Sequence, residues 1–135
     1  MTQLFAHREE CIEALQPEVE VLPINQRNEH SRLMTKEYPI SINGRIDWAK
    51  VGYKQKVNSC NEIISVLQKH FDSVNLDVLI IWDGAHLPVL KSNLSKILMY
   101  IDDVTAVGFD IWLFCPEQKY VIEFYHEDEI TVAYL

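Results

Sequence analysis

The last quarter of the chain, residues 108–135, constrains the fold more than any other stretch. It contains three short runs, 109–114, 120–125 and 130–134, in which the residues that would face one side alternate with those that would face the other. The runs are rich in aromatic and β-branched side chains. Alternation with a period of two is typical of β-strands, because successive side chains point to opposite faces. Pro116, which fixes φ and lacks an N–H donor, and the charged residues 126–129 indicate turns between the runs. The sequence therefore predicts a three-stranded antiparallel meander at this end of the chain.

Three helices are predicted from apolar residues at helical spacing: 3–15, a segment after Asn58, and 88–101. Pro17 ends the first helix, because proline cannot continue the hydrogen-bond ladder. Ser59 and Glu62 fit a capping box at the start of the second helix. Asp102 and Asp103 would then lie at the C-terminal end of the third helix, where negative charge opposes the helix dipole.

Strands are predicted before the meander as well. Residues 76–82 are almost all apolar, which favours a central strand covered on both faces. Residues 18–24 alternate weakly and contain Pro23, which favours an edge strand. Asn43-Gly44 lies between short alternating arms and predicts a hairpin turn. The polar residues 25–37 are interpreted as a loop or a ragged helix.

These elements together predict an α+β fold. With 135 residues and no repeat, linker or low-complexity segment, the chain is expected to form one domain, 1–135. The sheet is predicted to be mostly antiparallel and to end in the three-stranded C-terminal meander, with helices packed on one face.

Charge is distributed unevenly along the chain. The formal net charge is −8. Residues 1–71 contain nine acidic and nine basic side chains, so the whole surplus lies in residues 72–135, with eleven acids and three lysines. Such a surplus repels phosphate backbones and argues against direct binding of nucleic acid. It would attract a basic protein; the alternative is a solvated surface that only aids solubility.

The cysteine spacing predicts free thiols in a reducing compartment and a protein that has no metal site. Cys11, Cys60 and Cys115 are odd in number and far apart, and no Cys or His spacing fits structural zinc. We also find no Gly-rich phosphate loop, so no cofactor is expected. No apolar run approaches the length of a membrane span, and no targeting signal is recognisable. We therefore expect a cytoplasmic protein that has no membrane partner.

One residue pair could belong to an enzyme. Asp83 and His86 follow the predicted central strand, and a carboxylate that orients a histidine can form a general base. No nucleophile can be named beside them, so a plain turn is the favoured interpretation. Trp82 and Trp112 are each expected to lie in the core rather than to serve as a stacking platform for nucleobases.

Acidic and aromatic residues in and near the meander suggest a surface for a cationic protein. Acids steer the encounter of two proteins, and aromatic side chains supply contact area. The alternative is a solvated sheet face, or an adaptor subunit whose acidic sheet docks a permanent partner. The predicted partner-binding residues are Asp102, Asp103, Asp110, Trp112, Glu117, Glu123, Tyr125, Glu127, Asp128 and Glu129.

Several short runs resemble one family of proteins. They are Asp102-Asp103-Val104, Trp112-Leu113-Phe114, the run YVIEFYH at 120–126 with a following Glu-Ile-Thr, and NGRIDW at 43–48. The first three resemble the C-terminal half of bacterial immunity proteins of polymorphic toxin systems, of the contact-dependent growth inhibition type and of related neisserial systems. The fourth belongs to the same resemblance, which covers about a third of the chain.

The resemblance implies a function without chemistry. Immunity proteins of this kind are small, cytosolic and often acidic, and they bind and neutralise a cognate toxin that is frequently a basic nuclease. They cover the toxin's active site or a nearby surface, and they need no cofactor. The resemblance transfers no role to any individual residue. A non-catalytic immunity protein is therefore the leading hypothesis, ahead of a small enzyme at Asp83 and His86 and of an adaptor subunit.

Overall fold

A seven-stranded antiparallel sheet forms the centre of the structure. The computed structural model describes residues 3–135, with side chains described from His7 onward. In spatial order the strands are β1-β4-β3-β5-β6-β7-β2, and every neighbouring pair is antiparallel. The strands are β1 Val19–Val21, β2 Tyr53–Val57, β3 Asp77–Trp82, β4 Leu90–Asn93, β5 Ile111–Phe114, β6 Val121–Tyr125 and β7 Glu129–Tyr134.

The C-terminal meander is confirmed. Strands β5, β6 and β7 follow one another along the chain and pair in that order, with Leu113 opposite Ile122 and Ile122 opposite Val132. The connecting turns contain Lys119 and Asp128, whose φ angles are 60° and 61°. Because the left-handed region is uncommon for residues other than glycine, these two positions mark tight turns that fix the register of the strands.

Five α-helices accompany the sheet within residues 3–135: α1 Gln3–Leu15, α2 Arg27–Thr35, α3 Cys60–Gln68, α4 Leu94–Met99 and α5 Ile101–Thr105. The predicted bounds of the first helix are confirmed. The predicted cap of α3 is confirmed as well, since the Glu62 backbone N–H donates to Ser59 Oγ at 3.3 Å. The Glu62 carboxylate in turn accepts from the Asn58 N–H at 2.7 Å, so both ends of the cap are satisfied.

Two apolar layers cover the two faces of the sheet. Helices α1, α3, α4 and α5 pack on one face, where Ile80, Leu113 and Ile122 point. Helix α2 and residues 38–51 cover the other face, against Leu79 and Phe114. The prediction of helices on one face thus holds for four of the five described helices. The fifth arises from the segment that was interpreted as a loop or a ragged helix, and it is fixed by Arg27, which donates to the backbone carbonyls of Trp82 and Leu87.

The prediction of a helix over 88–101 is wrong in its first part. Residues Leu90–Asn93 form strand β4, in which Leu90 and Ser92 are buried and Lys91 is exposed. Asn93 then ends the strand and caps α4, because its Oδ1 accepts from the Lys96 N–H at 2.9 Å. As a result Asp102 and Asp103 lie in the first turn of α5, where negative charge favours the helix dipole instead of opposing it.

The predicted hairpin turn at Asn43-Gly44 is confirmed, with Gly44 at a φ of 86° and a single antiparallel bridge between Ile40 and Ile46. Strand β2 was not predicted, because the sequence YKQKV is largely polar and forms an exposed edge. Within the described residues, no helix has the length and apolar character needed to cross a membrane.

Candidate functional site

Acidic residues from helix α5 and from the β6–β7 turn meet at one end of the sheet. An open groove of about 620 Å³ lies between the start of α5, the N-terminus of α3 and the β6–β7 turn. We call it the acidic groove, and its walls include Asp102, Phe109, Tyr125, His126, Asp128 and Glu129. Four of the predicted partner-binding residues therefore line one groove, where Asp102 lies near Tyr125, Asp128 and Glu129 although it is distant from them in sequence. Glu127 lies in the exposed turn that joins β6 to β7.

An aromatic residue stands among these acids. Phe109 is 78% exposed and meets the ring of His126 edge-on, with 6.1 Å between ring centroids. The carboxylate of Asp110 fixes that histidine, because Oδ1 lies 2.9 Å from both the backbone nitrogen and Nδ1 of His126. Asp110 thus anchors the turn beside the groove, and Phe109 leaves a large apolar surface exposed to solvent.

The far wall of the acidic groove is held by cations. The Arg45 guanidinium lies 3.8 Å from the centroid of the Tyr125 ring and donates to Glu129 at 2.8 Å. Lys56 donates to the other oxygen of Glu129, also at 2.8 Å. Hydrogen bonds from Lys56 and then Arg45 hold the pKa of Glu129 below its ordinary value. Glu129 is therefore an ionised but already partnered carboxylate.

Two of the predicted contact residues are not on the surface. Glu123 is 1% exposed and Trp112 is 6% exposed, so neither can touch a partner without a rearrangement of the sheet. The Glu123 carboxylate accepts from Arg45 Nε and Nη2 at 3.0 and 2.6 Å, and from the Ile46 N–H at 3.2 Å. The indole N–H groups of Trp48 and Trp112 donate to it at 3.2 and 3.0 Å. Alternation on β6 placed Glu123 on one face correctly, but that face is covered by residues 38–51.

Two other predicted residues lie away from the acidic groove. Glu117 belongs to the β5–β6 turn at the opposite end of the sheet, where it lines a second groove with Glu20 and Asp77. Asp103 is half-buried on α5, which packs against α1. Burial, and then the negative charge of Asp103, raise the pKa of Cys11 to about 12.

Asp83 and His86 form a turn at the end of β3, as the favoured interpretation predicted. Both side chains are exposed, and the Leu87 N–H donates to the Gly84 carbonyl at 3.0 Å. The Asp83 N–H donates to the Asp110 carbonyl at 3.1 Å, which ties this turn to the start of β5. Across residues 7–135, no group of three His, Cys, Asp or Glu side chains is arranged to hold a metal ion.

Sequence patterns did not reveal three residues of the site. Arg45 was noted only within the NGRIDW run, Phe109 was expected inside a strand, and His126 was expected in a charged tip. The structure places Phe109 before β5, which begins at Ile111, so its side chain is free of the sheet. The one available signal was Phe109-Asp110, an aromatic next to an acid directly before a strand.

A comparison with models of protein families shows to which family the chain is related. The family model described as CdiI immunity protein EcoliA0-like matches residues 3–133. The chain belongs to the CdiI immunity protein family. The resemblance found in the sequence is confirmed, and the match extends it from a third of the chain to all elements from α1 to β7. No curated protein matches the sequence.

Membership of the CdiI immunity protein family assigns a binding role. A CdiI immunity protein binds a cognate toxin and neutralises it. Among the large apolar side chains described in the C-terminal half, Phe109 has the largest exposed fraction, 78%, and it lines the acidic groove.

Proposed function

We propose that this CdiI immunity protein neutralises a basic nuclease toxin by binding it at the acidic groove. The observation that carries the proposal is the position of Phe109, which is 78% exposed and surrounded by acidic residues from α5 and the β6–β7 turn. A large apolar side chain that the fold leaves in water is suited to become buried in a partner. Acids around it select a cationic partner and speed the encounter.

The proposal keeps six of the predicted residues as direct contacts. They share an accessible position at or beside the acidic groove: Asp102, Asp110, Tyr125, Glu127, Asp128 and Glu129. Glu123 and Trp112 support this surface from inside, since Glu123 holds Arg45 against Tyr125 and Glu129. Glu117 and Asp103 are left out, because one lies at the opposite end of the sheet and the other faces α1.

A nuclease is the toxin class that best explains the charge. Nucleases bind phosphate backbones through lysine and arginine side chains, so their active surfaces are basic. An acidic protein that covers such a surface removes the same cations that the nucleic acid requires. The net charge of −8 supports this role and opposes binding of nucleic acid by the immunity protein itself.

In this proposal the protein catalyses no reaction. Asp83 and His86 form an exposed turn, and a general base would need a nucleophile or substrate group within about 3 Å. The protein would act in the cytoplasm of its host cell, without a cofactor, as a stoichiometric inhibitor.

Hydrogen–deuterium exchange tests the position of the interface. The probe is the toxin domain expressed from the open reading frame next to the gene of this protein. We expect binding to protect the amides of residues 101–110 and 124–130. Protection confined to residues 75–79 and 115–118, at the opposite end of the sheet, would refute the acidic groove as the docking surface.

A cleavage assay tests the toxin class. The same toxin domain is incubated with DNA or RNA, alone and with an equimolar amount of this protein. We expect one of the two nucleic acids to be degraded, and the degradation to stop when the protein is added. Intact DNA and RNA at a toxin concentration that kills cells would show that the toxin is not a nuclease.

A further inference from the structure

The turn at residues 41–45 presents a second apolar side chain. Ile42 is fully exposed, and it contributes nothing to either apolar layer of the fold. Single exposed apolar residues are common on protein surfaces, so the significance of Ile42 lies in its setting as well as in its exposure. At the tip of a turn its whole side chain is accessible to another molecule.

The turn is well ordered by its own hydrogen bonds. The Ser41 N–H donates to the Arg45 carbonyl at 2.6 Å, and the Gly44 N–H donates to the Ser41 carbonyl at 3.0 Å. Asn43 Oδ1 accepts from the Ser41 hydroxyl and from the Arg45 N–H. Gly44 supplies the positive φ of 86° that closes the turn. The Ile42 side chain is thus presented from a defined backbone, which lowers the entropy lost when it is bound.

The same turn is tied to the acidic groove through Arg45. Its guanidinium bridges the buried Glu123 and the groove residue Glu129, at 2.6 and 2.8 Å, and lies on the ring of Tyr125. Arg45 therefore belongs to the turn and contacts two residues of the groove wall, Tyr125 and Glu129. A series of side-chain contacts, Phe109 with His126, His126 with Tyr125 and Tyr125 with Arg45, links the groove to the turn that carries Ile42.

We infer that Ile42 is a second contact point for the toxin. Its side chain inserts into an apolar recess beside the toxin's basic surface and so prolongs the lifetime of the complex. This inference rests on the proposed function. The acids of the groove govern the rate of association, because charges act over a distance. An apolar side chain acts only after contact, so Ile42 governs the rate of dissociation. Ile42 would thereby help to distinguish the cognate toxin from other basic proteins.

The test measures association and dissociation rates of the full chain with its cognate toxin domain, for Ile42→Ser and for the matched control Ile24→Ser. Ile24 is the same residue type, is 52% exposed, and follows β1 at the sheet edge opposite to β2. We expect Ile42→Ser to raise the dissociation rate about tenfold, the order expected when one aliphatic side chain is no longer buried. The association rate and its salt dependence should stay unchanged, and Ile24→Ser should behave as the wild type.

A third variant, Ile42→Leu, keeps the apolar area and should restore most of the lifetime. Equal dissociation rates for Ile42→Ser and Ile24→Ser would overturn the inference. The triple variant Asp102→Asn, Glu127→Gln, Asp128→Asn separates this failure from that of the proposed function. If this triple variant associates more slowly while Ile42→Ser equals its control, only the inference fails; if it associates at the wild-type rate, the acidic groove itself is refuted.

Discussion

The guanidinium of Arg45 donates to the buried carboxylate of Glu123 at 2.6 Å. This contact joins a turn outside the sheet to the interior of strand β6, across 78 residues of sequence. Burial of the guanidinium lowers the pKa of Arg45, but hydrogen bonds to Glu123 and Glu129 raise it overall, so the side chain stays charged. The pair fastens residues 38–51 over one face of the sheet and sets the far wall of the acidic groove.

Breaking this pair should destabilise the fold. In Arg45→Met, Glu123 keeps its neutral N–H donors but loses the cation that compensates its charge. Removal of one partner from a buried ion pair costs about 3–5 kcal/mol, and the remaining donors place this variant near 3 kcal/mol. Urea denaturation followed by circular dichroism measures the loss of unfolding free energy.

The matched control for this measurement is Glu117→Gln. Glu117 is exposed in the β5–β6 turn, and its substitution should change the unfolding free energy by less than about 0.5 kcal/mol. If Arg45→Met were as stable as Glu117→Gln, the Arg45–Glu123 contact would not hold the segment on the sheet.

Elements with a strong local pattern could be predicted from the sequence. The alternation in 109–134 identified the meander, and the Ser59–Glu62 capping box identified the start of α3. The apolar run at 76–82 identified β3, which is covered on both faces. In each case local preference and tertiary environment favour the same structure.

Elements defined by their neighbours could not be predicted. The apolar positions of Leu90 and Leu94 fit a helical stripe, but Leu90 faces the core from a strand and Asn93 starts the helix only at Leu94. Strand β2 has almost no apolar pattern, because its partner β7 supplies the pairing and its outer edge faces water. Tertiary pairing overrides weak local preference at both places.

The candidate site was predicted only in part, because burial of its side chains also depends on tertiary contacts. Charge and position along the chain identified Asp102, Asp128 and Glu129 as candidate contact residues, and only the fold shows that Asp102 lies close to the other two. Glu123 has the same residue type and strand pattern, and only the contact with Arg45 shows that it is buried. No local signal reports a partner 78 residues away in the sequence.

Glu129 should give the stability a dependence on pH. Its pKa is lower in the folded chain than the ordinary value of 4.5, because Lys56 and Arg45 donate to the ionised carboxylate. Its contribution is therefore complete above the pKa of the unfolded chain and is lost as the pH falls through the lower folded value. We expect Glu129→Gln to be less stable than the wild type at neutral pH, and the difference to vanish in acid.

Urea midpoints between about pH 7 and pH 3, the range in which carboxylates titrate, measure this dependence. The neighbouring substitution Glu127→Gln serves as the control in the same turn. A difference between Glu129→Gln and the wild type that stays constant over the whole range would show that the ionised form of Glu129 is not selectively stabilised.

The three cysteines should differ in reactivity. All are free thiols, and burial raises the pKa of Cys11 to about 12 and also raises the pKa values of Cys60 and Cys115. Because the thiolate is the reactive form, none should react with a disulfide reagent as fast as a free thiol at about pH 8. Cys60 is partly exposed and should react first. Mass spectrometry of native protein after brief labelling reads this order, and rapid labelling of Cys11 would contradict it.

The association rate measured over a series of salt concentrations tests the central claim, that the acidic groove receives a basic toxin. The triple variant Asp102→Asn, Glu127→Gln, Asp128→Asn removes two charges that line the groove and one from the adjoining β6–β7 turn. Its matched control, Glu20→Gln, Asp77→Asn, Glu117→Gln, removes three charges from the second groove at the opposite end of the sheet.

Exposed charges are screened beyond about 8 Å at physiological ionic strength, so electrostatic steering must weaken as salt is added. We expect wild type and control to associate fast and to slow steeply with salt, and the groove variant to associate several-fold more slowly with a flatter dependence. Equal rates and equal salt dependence for the two triple variants would contradict the account.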